Sequence, residues 1–175
     1  MKTRLWMLGA VAGMATLAVA VQSGSGLLKS WSTRLQQAGG VTAAVTTQEV
    51  GGGRANYTVE MAAPNKVRLE TPTTLVISDG SSIYSYYKAQ KAYVKEPFDA
   101  KLLRQSLAQD EFRFFAPAID AQAFDSFGSV TSAGKINRRG VEMEGVKAVI
   151  SALEGKTATM YFAGGDLRQA EIVTK

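Results

Sequence analysis

Serine stands three residues before lysine twice, in Ser85-Tyr86-Tyr87-Lys88 and in Ser132-Ala133-Gly134-Lys135. This spacing supports nucleophilic catalysis when the pair opens a helix, because hydroxyl and amine then share one face and the amine can take the proton. Here the first pair falls in a strand pattern and the second in a glycine turn, so neither is expected to react. Gly155-Lys156-Thr157 ends as a phosphate-binding loop does, yet Ile150 stands where the first glycine of that loop belongs. The 15 acidic residues show no spacing that pairs two of them for glycoside hydrolysis. Asp79-Gly80 reads as a turn device. The chain has no histidine and no cysteine. That excludes a Ser-His-Asp triad, a thiolate nucleophile, disulfides, His or Cys metal centres and a histidine pH switch. No enzymatic activity, cofactor or metal is expected.

The residues are therefore expected to act by shape and apolar surface, a hydrolase needing a cleft in which acidic residues distant in sequence converge. The chain has 175 residues, 46% apolar and 20% charged, enough for one domain with a substantial core. Lys2 and Arg4 precede an apolar run from Leu5 to Val21, and Ala18-Val19-Ala20 is a small-x-small cleavage pattern. Together they read as a secretory signal peptide over residues 1–20, with an uncleaved anchor as the alternative. No cysteine follows the cleavage pattern, so the processed chain carries no lipid. Loss of Lys2 and Arg4 from 20 basic residues leaves 18 against 15 acidic, a net charge of +3 for residues 21–175. That balance is too mild for nucleic acid, and no basic run exceeds Arg138-Arg139.

Leu27, Leu28, Trp31, Leu35 and Ala38 recur at helical spacing, with Ser25 as the expected cap and Gly39-Gly40 as the stop. From Val41 the period becomes two. Val41, Ala43, Val45 and Thr47 alternate with polar or small residues, as do Tyr57, Val59 and Met61, then Val67 and Leu69. Leu75-Val76-Ile77, Ile83–Tyr87 and Ala92–Lys95 continue the series between Gly, Pro and Asn turns. Arg68 and Glu70 fall on one strand face. Residues 98–125 interrupt the strands. Leu102, Leu103 and Leu107 fit a helical face, Phe112, Phe114 and Phe115 form an aromatic cluster, and a short helix is expected from Pro117 to Phe124. Strands resume near Ser129–Thr131, Gly140–Met143, Val146–Ser151, Lys156–Phe162 and Leu167–Thr174. The expected fold is mainly β with helices (α+β). It is an open antiparallel β-barrel of about ten or eleven strands, covered by the N-terminal helix and the helical insert.

Pro64-Asn65-Lys66-Val67-Arg68-Leu69-Glu70, followed by Ile77-Ser78-Asp79-Gly80-Ser81-Ser82-Ile83-Tyr84-Ser85-Tyr86, resembles the core motif of the LolA/LolB-like superfamily of periplasmic lipoprotein carriers and lipid-binding domains. The likeness covers about residues 54–97. It implies an apolar barrel cavity that takes acyl chains, and a cavity arginine for which Arg54 and Arg68 are the nearest by position. The stretch from Lys95 to Pro117 is closer to carrier-like relatives than to the dedicated lipoprotein shuttle.

The expected ligand-binding residues are Leu27, Leu28, Trp31 and Leu35 on a lid helix, and Tyr57, Val59, Val67, Leu69, Leu75 and Ile77 on the concave face. Phe112, Phe114 and Phe115 are expected at the cavity entrance. Plain core packing uses the same residues, so sequence leaves the two open. Met61, Met143 and Met160 are expected to fill the interior, and Tyr84, Tyr86, Tyr87 and Tyr93 to pair across one hairpin. The expected protein is a monomeric periplasmic carrier for the acyl chains of a lipid or lipoprotein, with a transient membrane-protein partner. The alternative is an envelope sensor or interaction module with a filled barrel.

Overall fold

The computed structural model describes residues 2–8, 23–62, 64–109, 112–151 and 154–174, with only the backbone for residues 2–8. Among the described residues, eleven antiparallel strands and a few short helices make a mostly β molecule. The first strand is β1, Lys2–Leu8. It is followed by helix α1, Gly24–Gln37. A meander comes next: β2 Gly40–Glu49, β3 Arg54–Ala62, β4 Lys66–Glu70, β5 Thr74–Asp79, β6 Ser82–Tyr87 and β7 Ala92–Pro97. Helix α2 (Ala100–Leu107) and a 3-10 helix (Arg113–Ala118) then lead into β8 Gly128–Arg138, β9 Val141–Ser151, β10 Lys156–Ala163 and β11 Asp166–Thr174.

Two antiparallel halves, β2 to β7 and β8 to β11, meet through β1, which pairs with β2 on one side and β11 on the other. The far strands β7 and β8 are the two ends of the pairing order, and the sheet does not close into a barrel. β1 lies within the segment that the sequence assigns to the leader. The remainder of that leader, with its cleavage pattern, lies outside the described residues. Among the described residues no helix is long and apolar enough to cross a membrane.

The N-cap of α1 lies two residues before the expected one. Ser23, not Ser25, is the N-cap, and its hydroxyl accepts from the amide of Gly26 at 3.3 Å. Ser23 has the extended backbone of a cap, whereas Ser25 already lies inside the first turn. The helix stops at Ala38, and Gly39 then takes a left-handed φ of +65°. α1 buries Leu27, Leu28, Trp31 and Leu35 against the sheet. Its first residue sits so close to β8 that a Cβ on Gly24 would lie 2.9 Å from the Thr131 backbone.

Strand patterning holds best in the first half. Val41, Ala43, Val45 and Thr47 of β2 are all buried, as are Val59 and Met61 of β3 and Val67 and Leu69 of β4. Two expectations fail in the second half. Ser132-Ala133-Gly134-Lys135 is no turn: it lies inside β8, where Gly134 (φ +78°) marks a bulge in a single long strand. The chain reverses instead at Arg139 and Gly140, both left-handed. The expected helix from Pro117 to Phe124 is also displaced. The chain forms a 3-10 helix over Arg113–Ala118 with Pro117 inside it, then runs through turns. Asp120 caps one of those turns through the Gln122 amide.

Candidate functional site

The interior face is set by β-register, since directly paired residues share a face. Tyr57 pairs with Val45, Val59 with Ala43 and Leu69, and Met61 with Val41 and Val67. These positions form one continuous apolar wall. At the next step the expected face is wrong. Leu69 pairs with Val76 and Val67 with Ser78, whereas Leu75 pairs with Glu70 and Ile77 with Arg68. Leu75 and Ile77 therefore lie on the outer face, and Val76 and Ser78 on the inner one. The connection fixes this register: the Thr71 hydroxyl accepts from the amides of Thr73 and Thr74 and holds a tight turn. Buried Ser78 is satisfied because its hydroxyl donates to the Asn65 carbonyl at 2.7 Å and accepts from the Gly80 amide.

The helical cover fills the space in front of this wall. Phe112 and Phe114 are 1% and 0% exposed, and Phe115 is also buried, so they are packed interior residues rather than an open entrance. Trp31 stands edge-on to Phe115 and to Phe162 of β10, each at 6.4 Å. Tyr57 meets Phe112 edge-on at 6.0 Å. Trp31 Nε1 donates to the Phe114 carbonyl at 3.0 Å and so joins α1 to the 3-10 helix. Leu103 and Leu107 of α2 complete the filling, and Met61 and Met160 lie in the same buried region.

One ion pair ties the cover to the sheet. Arg34 of α1 reaches Asp166, at the β10–β11 turn, at 2.7 Å. The guanidinium lies over the turn backbone, where a Cβ on Gly165 would come within 2.7 Å of it. Beside α1, Leu35, Val41, Met61 and Ala118 border a void of about 20 Å³. That is room for about one water-sized sphere and not for an acyl chain.

Neither arginine considered for a cavity role faces the interior. Arg54 is exposed and donates to Gln48. Arg68 lies on the outer face with Glu70 at 2.6 Å and Glu60 at 3.8 Å. Lys88 and Arg68 both bond Glu70 and hold its carboxyl below the usual range. Asp79 accepts from both the amide and the hydroxyl of Ser81 and from the amide of Ser82, which lowers its pKa to about 2. It therefore acts as the turn residue expected of it.

The Ser-Lys pairs sit on strands or at a strand end. Lys88 is engaged by Glu70 and the Thr71 carbonyl, and Lys135 by Glu142. Among the described residues no three acidic side chains gather as a metal site would require.

Tyr84 and Tyr86 share the outer face with Leu75, Ile77 and Tyr93, whereas Tyr87 is on the other face. Sequence reasoning missed Val76, Ile83, Phe162 and Ile172 as wall residues. Val76 was hidden in a continuous apolar run, while the others lay in strands whose facing alternation alone indicates.

The structure thus presents a helical cover whose aromatic side chains pack against the inner apolar face of the sheet. No family model matches the chain, and neither does any curated protein.

Proposed function

We propose that the protein is an envelope carrier that shelters the acyl chains of a lipid or lipoprotein, and that its leader is removed on export. In this reading the packing of the helical cover on the inner face is that of the closed, empty state. The observation that carries it is the origin of the plug. Leu27, Leu28, Trp31 and Leu35, with Phe112, Phe114 and Phe115, all come from the helical cover rather than from strands. If the cover swings away, it takes its own side chains with it and leaves the Val59, Val67 and Leu69 wall free.

The energetics suit a carrier. Each buried methylene contributes about 0.8 kcal/mol, but an entering chain replaces apolar contacts already present. The net affinity is the difference between ligand and plug, which favours release to a stronger acceptor. The motif over residues 64–86 supports the same reading by its resemblance to lipoprotein carriers.

A titration with a fluorescent fatty acid tests it. Saturable binding that weakens on Leu69→Ala is expected, and absence of saturable binding overturns it. The small void at α1 favours a second reading, a filled interaction module that contacts a membrane protein. In that case the core stays closed and the protein captures a partner without lipid.

A further inference from the structure

β1 occupies a slot with two walls. It pairs with β2 over six positions, Thr3–Leu8, and with β11 over five, Lys2–Trp6, antiparallel to both. β2 and β11 therefore run parallel to each other with one strand between them. Their separation is two interstrand spacings, about 9.5 Å. Removal of residues 1–20 would empty this slot and leave an unpaired row of amides and carbonyls on each wall. Few sheet edges remain in that state without being covered or paired.

We propose that in the processed chain this slot is a strand-acceptor site, which takes an extended segment of a second polypeptide between β2 and β11. The occupant's character follows from the register. Leu5 stands opposite Thr47 on β2 and Ala170 on β11, Thr3 opposite Ile172, and Met7 opposite Val45. Val45, Thr47, Ala170 and Ile172 are all buried inner-face residues. The incoming segment must carry apolar or small residues at alternate positions, must donate and accept on both edges, and cannot place proline in the middle. Two-sided pairing distinguishes this site from the sheet ends at β7 and β8, each of which offers one edge. A slot flanked on both sides also fixes strand direction, because only one orientation is antiparallel to both walls.

This inference rests on leader removal but not on lipid binding. The test uses chain purified from the cell envelope, with its N-terminus read by intact mass. A labelled synthetic peptide of residues 1–8 is titrated against it by fluorescence anisotropy, and hydrogen exchange is followed over residues 44–49 and 169–173. Saturable binding is expected, with slower exchange in both segments. The same peptide carrying Leu5→Pro should bind at least about tenfold more weakly, because proline removes a ladder donor. Three results would overturn the proposal. The purified chain could retain residues 1–20. Its β2 and β11 amides could already be protected without peptide, which means that the walls have paired with each other. The peptide could bind without added protection there. Fatty-acid titration of the same sample scores the carrier reading separately.

Discussion

Trp31 donates its indole N–H to the carbonyl of Phe114, and this bond links two of the helical pieces that together fill the sheet. Its partners are 83 residues apart in sequence, and both are buried. In a processed chain of residues 21–175, Trp31 is the sole tryptophan, since the other is Trp6. Its emission therefore reports directly on the plug. Buried Trp31 should emit at short wavelength, and acyl-chain uptake should shift and change that emission. Trp31→Phe removes the donor and leaves a buried carbonyl unpaired, for a loss of about 1–3 kcal/mol. The check is urea denaturation of the two proteins side by side.

Arg34 and Asp166 hold α1 down on the β10–β11 turn. Asp166→Asn should loosen that hold and speed fatty-acid uptake in stopped flow. The effect on stability should be modest, about 1 kcal/mol or less, because both side chains retain some exposure. Wild-type uptake should also quicken with added salt, whereas the variant's should respond less.

The two faces of the Val67–Ile77 region should separate cleanly by mutation. Leu69→Ala removes a side chain only 1% exposed and should cost about 2–5 kcal/mol. Leu75→Ala and Ile77→Ala, on the outer face, should each cost less and leave fatty-acid affinity unchanged. Equal losses of affinity for both sets would contradict the register. Thermal melts with parallel binding isotherms provide the comparison.

Acid should destabilise the fold through carboxylates. Glu70 and Asp79 both have folded pKa values below their ordinary ones, Asp79 at about 2. The folded state therefore holds these protons less tightly than the unfolded chain does. The stability they confer is complete above the unfolded values of 4.5 and 3.8; the share of Asp79 is lost as pH falls through about 2, and that of Glu70 as pH falls through its own lowered value. Asp79→Asn keeps an oxygen for the turn and cannot ionise, so its urea midpoint should fall less between pH 5 and pH 2.5 than that of the wild type.

The first half of the sheet could be read from sequence because its strands alternate. Val41 to Thr47, Tyr57 to Met61 and Val67 to Leu69 each have one apolar side and one polar or small side, and a one-residue slip would bury the wrong set. Leu75-Val76-Ile77 carries no such information, since either facing buries an apolar residue. Its facing is decided by the Thr71 turn and the Ser78–Asn65 bond, which depend on three-dimensional closure. β8 was obscured by Gly134, a residue that signals a turn in sequence but accommodates a bulge in the sheet. The apolar members of the candidate site were legible, whereas their state was not. Phe112, Phe114 and Phe115 look the same in sequence whether they line an empty cavity or fill it.

The proposed carrier function requires that the helical plug give way to acyl chains. Native mass spectrometry of the protein purified from the cell envelope, followed by extraction and analysis of anything bound, tests it most directly. A population carrying lipid or acylated peptide is expected, which Leu69→Ala diminishes. A protein that is reproducibly empty, and that still takes up no lipid when lipid is supplied, would contradict it.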